Sequence, residues 1–470
     1  MVWTPEWFGV DRDVLRRVLS ALSERGADHG EIFLQHARTT RVMMEDGILG
    51  RAEVHVEHGA GLRAVVGDRV GYAFTEDLSE RSLTEAARTA AGIAKGGSAH
   101  APVALTDGRP QGERYRLERT WGEVGVRERI ELVHRVEALA RDLDPRIHQV
   151  QASLIDIDER VVIASRDGRV TLDDRPMVRL GVQITARSGG EVRTGSSNLA
   201  GRRGIDWFDE TRLRQVAREA VERTVVQFDA VQPRSGEWPV ILAAGASGIL
   251  LHEAVGHGME ADFARRDETI YASMVGRQVA PPFVTIVDDG TQPGERGAVE
   301  VDDEGTEGQR TVLVREGVLE TFLHDRVSAA HYGLRSTGSG RRESYRHAPM
   351  PRMRSTYMEA GPHAAEEIVR SVKYGILAET FANGQVQIGA GDYTFFVRGG
   401  WLVEDGKLTA PIRDVNIIGN GPETLQRVTM VGDDLKLDTG GWTCGKDGQR
   451  VAVSQGMPTV LVSRLTVGGA

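Results

Sequence analysis

The chain has 470 residues, enough for two or three domains that each bury a core, and its 40% hydrophobic and 27% charged content is that of an ordinary globular protein. A net charge of −10 argues against nucleic acid as the main partner, because phosphate binding needs a basic footprint. No apolar run approaches the roughly eighteen residues of a membrane span. The start, MVWTPEWFGVDRDVLRRVL, lacks the basic head and apolar core of a secretion signal, so a cytoplasmic location is expected.

The first half reads as α+β with an internal duplication. Residues 11–26 carry Val14, Leu15, Val18, Leu19 and Leu22 at helical spacing. Short strands are expected at 31-EIFLQHA, 40-TRVMMEDG, 52-AEVHVEHG, 61-GLRAVVGD and 69-RVGYAFTED, with Gly and Asp-Gly as turn signals between them. A helix over 78–96 follows, with Ser79 or Ser82 as its cap. The same order recurs: a helix from 125, strands at 147, 160, 177 and 190, and a closing helix from 207. The expected division is an N-terminal α+β domain over 1–232, with repeats at about 11–97 and 125–226, and a second domain over 233–470. Residues 228–237, FDAVQPRSGE, break the periodicity as a linker would. Beyond them, Gly, short strands and tight turns predict a mostly antiparallel β domain with a few embedded helices.

The second domain opens with 248-GILLHEAVGHGMEADF, in which Glu253 directly follows His252 and three residues separate it from His257. On a regular helix, histidines five apart point about 140° from one another and cannot share a metal. A wide turn of π type brings them to nearly one face, so a π-bulge or early helix break is expected between Ala254 and Gly258, eased by Gly256. A catalytic zinc also needs a third protein ligand and an open position. Glu260, Asp262, His324, His331, His347 and the lone cysteine, Cys444, are the candidates. Cys444 lies in 440-GGWTCGKDGQRVAV, where Lys446 would favour a thiolate; the alternative reading is a small buried apolar residue.

With both segments in view, the sequence resembles the TldD/PmbA family of metallopeptidases, and its TldD branch most. The stretches that carry the resemblance are 252-HEAVGHGMEAD, 336-STGSGRRESYRHAPMPRMRSTYMEAG, 418-IGNGPETLQRVTMVGDDL and 443-TCGKDGQ. The resemblance implies one zinc per chain on His252, His257 and Cys444, with Glu253 as the catalytic base. It implies cleavage of unstructured or modified peptides bound as extended strands. It also implies a dimer, either with a PmbA/TldE-like subunit that lacks the metal motif or with a second copy. Tyr345, His347 and Arg342 in 341-RRESYRHAPMPRM are candidates for holding substrate or the oxyanion; core packing and surface ion pairs are the plain alternatives. The segment 382-ANGQVQIGAGDYTFFVRGG is less like the family's usual wording, so specificity is not carried over. Two other readings stand beside a peptidase: a non-catalytic assembly or regulatory subunit that keeps zinc for structure, and a hydrolase of non-peptide amides.

Overall fold

The computed structural model describes residues 5–96, 104–108 and 113–469; the extreme N-terminus and residue 97, the expected end of the first repeat, lie outside the described residues. The Asp11 carboxylate accepts the Val14 N–H at 2.8 Å and starts α1 (Arg12–Ser23). Leu15, Val18, Leu19 and Leu22 line its buried side. Three antiparallel strands follow, β1 (His29–Glu45), β2 (Ile48–Val66) and β3 (Arg69–Thr75), and then α2 (Glu80–Ala94), capped by Ser79. After the short β4 (Thr106–Gly108) the order repeats: α3 (Val126–Arg141), β5 (Ile147–Ser165), β6 (Arg169–Ser188), β7 (Glu191–Gly201) and α4 (Glu210–Val225). β1 pairs antiparallel with β5 from Glu31↔Ser165 to Glu45↔Gln151, so both triplets merge into one sheet.

The strands are longer than the sequence suggests. β2 runs unbroken through Gly59 and Gly61, which look like turn residues. Their role is close approach instead. A Cβ at Gly59 would overlap the Tyr345 ring, and one at Gly61 would overlap the Tyr72 hydroxyl and the Tyr345 carbonyl.

In the second half, strands Gly236–Leu242, Val460–Gly469, Val415–Asn420, Asp392–Glu404 and Tyr374–Gln387 pair in that order, and the last pairs back to the first. The result is a closed five-stranded ring, which leaves few free edges. A second sheet contains Ile286–Asp289, Arg310–Arg315, Ser355–Met358 and Ser454–Met457. The histidine segment packs between them through Leu250, Leu251, Ala254 and Val255, in one core with Met358 and Val460. The protein is thus α+β with a β-rich second half. No helix among the described residues is long and apolar enough to cross a membrane.

Buried charges join the halves. Glu31 on β1 accepts from Arg63 at 2.9 Å and from Arg342, and Arg63 also reaches Glu304. Arg63, Glu31 and Glu304 are 0% exposed. Burial raises the Glu31 carboxyl, but Arg63 and Arg342 outweigh it and hold the group well below the usual carboxylate range. Removing one member of such a network strands the others without solvent. Glu31→Ala is therefore expected to cost about 3 kcal/mol, read as a lower urea midpoint for the first unfolding transition. An unchanged midpoint would show that the network does not hold the halves together.

Candidate metal centre

Strand Gly236–Leu242 leads through a tight loop into the short helix Gly248–Leu251, which continues as a π turn over His252–Gly256. The His257 N–H donates to the His252 carbonyl, the i to i+5 bond that defines the wide turn. The bulge begins two residues before the expected Ala254, but it has the expected effect. The two imidazoles lie with ring centroids 5.1 Å apart, nearly perpendicular.

Gly256 serves a purpose other than the expected one. Its backbone is ordinary right-handed helix, φ −59° and ψ −48°, which any residue adopts. The Met353 thioether lies where a side chain would be, so packing rather than torsional freedom demands glycine.

The third contributor comes from the hairpin Thr443–Lys446/Gln449–Ala452. His252, His257 and Cys444 are all buried, and one ligand atom from each lies within 4.8 Å of the others. Cys444 Sγ is 3.3 Å from His257 Nε2. Neither ring nitrogen of His252 has a hydrogen-bond partner, although the residue is 1% exposed. Buried nitrogens without partners are costly, and a metal ion would satisfy them. Two imidazoles and a thiolate are a donor set suited to zinc. Burial raises the Cys444 thiol, but His252 and His257 prevail and bring it down to about 4, so the donor is a thiolate at neutral pH.

His257 is oriented from behind. Its Nδ1 lies 2.9 Å from Glu260 Oε2, which turns Nε2 towards Cys444. Burial pulls the His257 imidazole down, yet Glu260 and Cys444 raise it well above its ordinary value. Glu260 is held by the Met353 N–H at 3.2 Å and Lys446 Nζ at 3.1 Å. Lys446 also binds Asp262 Oδ1 at 2.7 Å and the Pro351 carbonyl at 3.1 Å. It therefore neutralises Glu260 and Asp262; the thiolate owes its low pKa to the imidazoles and not, as expected, to Lys446. Arg352, which the sequence reading overlooked, donates to the Cys444 carbonyl at 2.7 Å and fixes the hairpin. No local signal pairs those residues, since 92 positions separate them.

Of the third-ligand candidates, only Cys444 joins the pair. Glu260 and Asp262 take supporting places. His324 is buried against Thr321 and Tyr332, where burial lowers its imidazole to about 4. His331 faces Asp68 at 3.1 Å, and His347 faces Ser344 at 3.1 Å.

An open cleft of about 1040 Å³ adjoins the cluster, lined by Glu253, His257, Phe263, Tyr393 and Asp447, and by residues 385–388. Glu253 places Oε2 3.8 Å from His257 Nε2 with its side chain 24% exposed, more open than His252, His257 or Cys444. Tyr345, His347 and Arg342 are not among the residues that line this cleft. Arg342 lies over the Phe33 ring at 4.4 Å, and the Tyr345 N–H donates to Gln35 at 2.8 Å, so both bind the second half to the β1–β7 sheet.

Three successive domain models of the PmbA/TldA metallopeptidases match the chain: domain 1 at residues 30–94, the central domain at 119–228 and the C-terminal domain at 235–469. A protein named metalloprotease TldD homolog in Haemophilus influenzae is 39% identical over 462 residues, 97% of this chain and 96% of its own. The zinc metalloprotease TldD homolog of Saccharolobus solfataricus is 31% identical over 343 residues, 73% of this chain and 76% of its own. The crystal structure of TldE from Thermococcus kodakarensis superposes with a TM-score of 0.75 at 20% identity, covering 97% of this chain and 100% of its own, a likeness of fold. With domain models across both halves and relatives matched nearly end to end, the chain belongs to the PmbA/TldD family of metallopeptidases.

Proposed function

We propose that the chain is a zinc-dependent peptidase in which His252, His257 and Cys444 hold the metal and Glu253 is the catalytic base. The observation that carries this reading is the buried trio with unpartnered His252 nitrogens, set beside a carboxylate that opens to the cleft. A purely structural metal has no use for an acid at that opening, which weighs against a non-catalytic subunit. The name of the S. solfataricus relative supports zinc as the ion.

When bound, zinc supplies a Lewis acid that polarises a scissile carbonyl and lowers the pKa of a water to about 7. Glu253 accepts the proton of the attacking water and delivers it to the leaving amine, the shuttle that general acid–base catalysis requires. Glu260 keeps the His257 ring in one orientation and one tautomer. Arg352 and the Gln449–Ala452 strand keep Cys444 in place.

Strand Tyr374–Gln387 suits an extended peptide. Its Ile376–Ala378 stretch pairs with Gly236–Leu242, whereas residues 381–387 pair only with Asp392–Glu404. The edge over 385–387 borders the cleft and is available for backbone pairing, which grips many sequences alike. The same hairpin lines the cleft, so substrate preference in this chain would be set there. A PmbA/TldE-like partner or a second copy would roof the open cleft and keep folded proteins out; the shared fold with TldE supports such a pairing.

Glu253→Ala is expected to keep its zinc by metal analysis and to lose at least about 100-fold in cleavage of an unstructured peptide. Full activity in that variant, or in Cys444→Ala, would end this assignment. A further expectation concerns pH. The thiol is depressed in the folded protein, so the thiolate persists through neutral pH and is lost only as pH falls through about 4. Metal release takes up protons on the thiolate and on both imidazoles, so zinc should stay bound at neutral pH and be lost progressively on dialysis into acid, earlier in Cys444→Ser than in the wild type. Release already near pH 6.5 in both proteins would show that the imidazoles alone govern retention.

A further inference from the structure

A second cavity, of about 260 Å³, lies between the β1–β7 sheet and the second half, and six arginines and five acids stand in its wall. Arg202, Arg296 and Arg341 are 5%, 8% and 6% exposed. Arg341 gives its two Nη groups to the Met353 and Ala452 carbonyls, at 2.6 and 2.7 Å. Arg202 reaches only the Pro176 carbonyl, at 3.4 Å, and lies over the Tyr115 ring at 4.6 Å. Arg296 has no hydrogen bond or ion pair among the described residues, and its Nε is fully enclosed. Burial, with Arg179 and Arg202 adding to it, brings the Arg296 guanidinium down to about 10, so it is still charged at neutral pH.

The five acids of the wall are already engaged: Asp302 accepts the N–H groups of Glu304, Thr306 and Gly340, Glu343 accepts the Arg450 N–H, and Glu57 accepts from Arg346. Asp303 accepts from Arg175 and from the Arg342 N–H at 2.7 Å. Glu159 accepts from Gln35 at 2.5 Å, and burial raises its carboxyl above the ordinary range, which weakens it as a counter-charge. Three buried cations thus face one water-sized or larger space without a carboxylate of their own. An uncompensated buried charge is among the costliest features a fold can hold, and guanidinium forks match the oxygens of phosphate and carboxylate.

We propose that this cavity is a binding site for a small oxyanion, of phosphate or carboxylate type, held by Arg202, Arg296 and Arg341. It is separate from the peptide cleft. It adjoins the metal cluster through the Thr443–Ala452 hairpin, which lends Thr443, Arg450, Val451 and Ala452 to its wall. Occupancy would therefore brace the hairpin that presents Cys444.

The test is thermal unfolding of the zinc-loaded full chain titrated with sodium phosphate and, separately, sodium acetate, at ionic strength held constant with sodium chloride. The expected result is a saturable rise in Tm of about 2 °C or more with one of the anions. Phosphate alone acting identifies a free phosphoanion; acetate acting equally identifies a carboxylate. Arg296→Met should abolish the shift, and without added anion it should melt at or above the wild-type temperature, because the lone buried charge is gone. Should that variant not fold, Arg202→Met is read in the same way. No saturable shift with either anion in the wild type, or an equal shift in wild type and variant, overturns the proposal; the latter result would place the anion elsewhere, the metal included.

Discussion

One carboxylate, Glu260, ties together three of the segments that build the candidate metal cluster. It is 0% exposed and meets His257 from the wide turn, the Met353 N–H from the adjoining segment and Lys446 from the cysteine hairpin. Burial opposes its charge, but Lys446 and His257 hold it ionised. Without it, His257 would lose its orienting partner and Lys446 would be left buried beside Asp262 alone. A metal ligand is useful only when its ring faces one way, and that direction is set here from behind the ring.

The wide turn is a local distortion that its surroundings tolerate for specific reasons. Gly256 admits the Met353 thioether, and Gly258 admits the Tyr271 ring. Gly421 lies against the Ala254 carbonyl, so the turn is enclosed on that side too. Backbone of unusual hydrogen bonding often occurs where ligands must be presented, and here the i to i+5 bond places two imidazoles that a regular helix would separate. The barrel beneath and the second sheet beside it are rigid supports for that arrangement.

Some of the fold was legible from residue pattern. The amphipathic helices carry their apolar residues at helical spacing and their caps in place, Asp11 and Ser79 among them. Strand lengths were less so. Gly59 and Gly61 look like punctuation in a sequence, because glycine in a turn and glycine beneath an aromatic ring are the same letter. Likewise Lys446 follows Cys444 by two residues, yet its charge is spent on acids nearly two hundred positions earlier. Arg342 and Tyr345 stand in a family-like stretch that invites a substrate role, while their contacts to Glu31 and Gln35 make them part of the joint between halves.

What the sequence determined by itself is chemistry and local frame: which side chains could bind a metal, and that histidines five apart need a widened turn. Those follow from residue types and from the pitch of a helix, which are properties of neighbours along the chain. Tertiary structure alone decided the rest. It brought Cys444, of the six candidates, into one cluster with both histidines, put Glu260 behind His257, and buried Arg296 without a partner. Each of these outcomes depends on contacts between residues tens to hundreds of positions apart, and burial and Coulomb forces act through space.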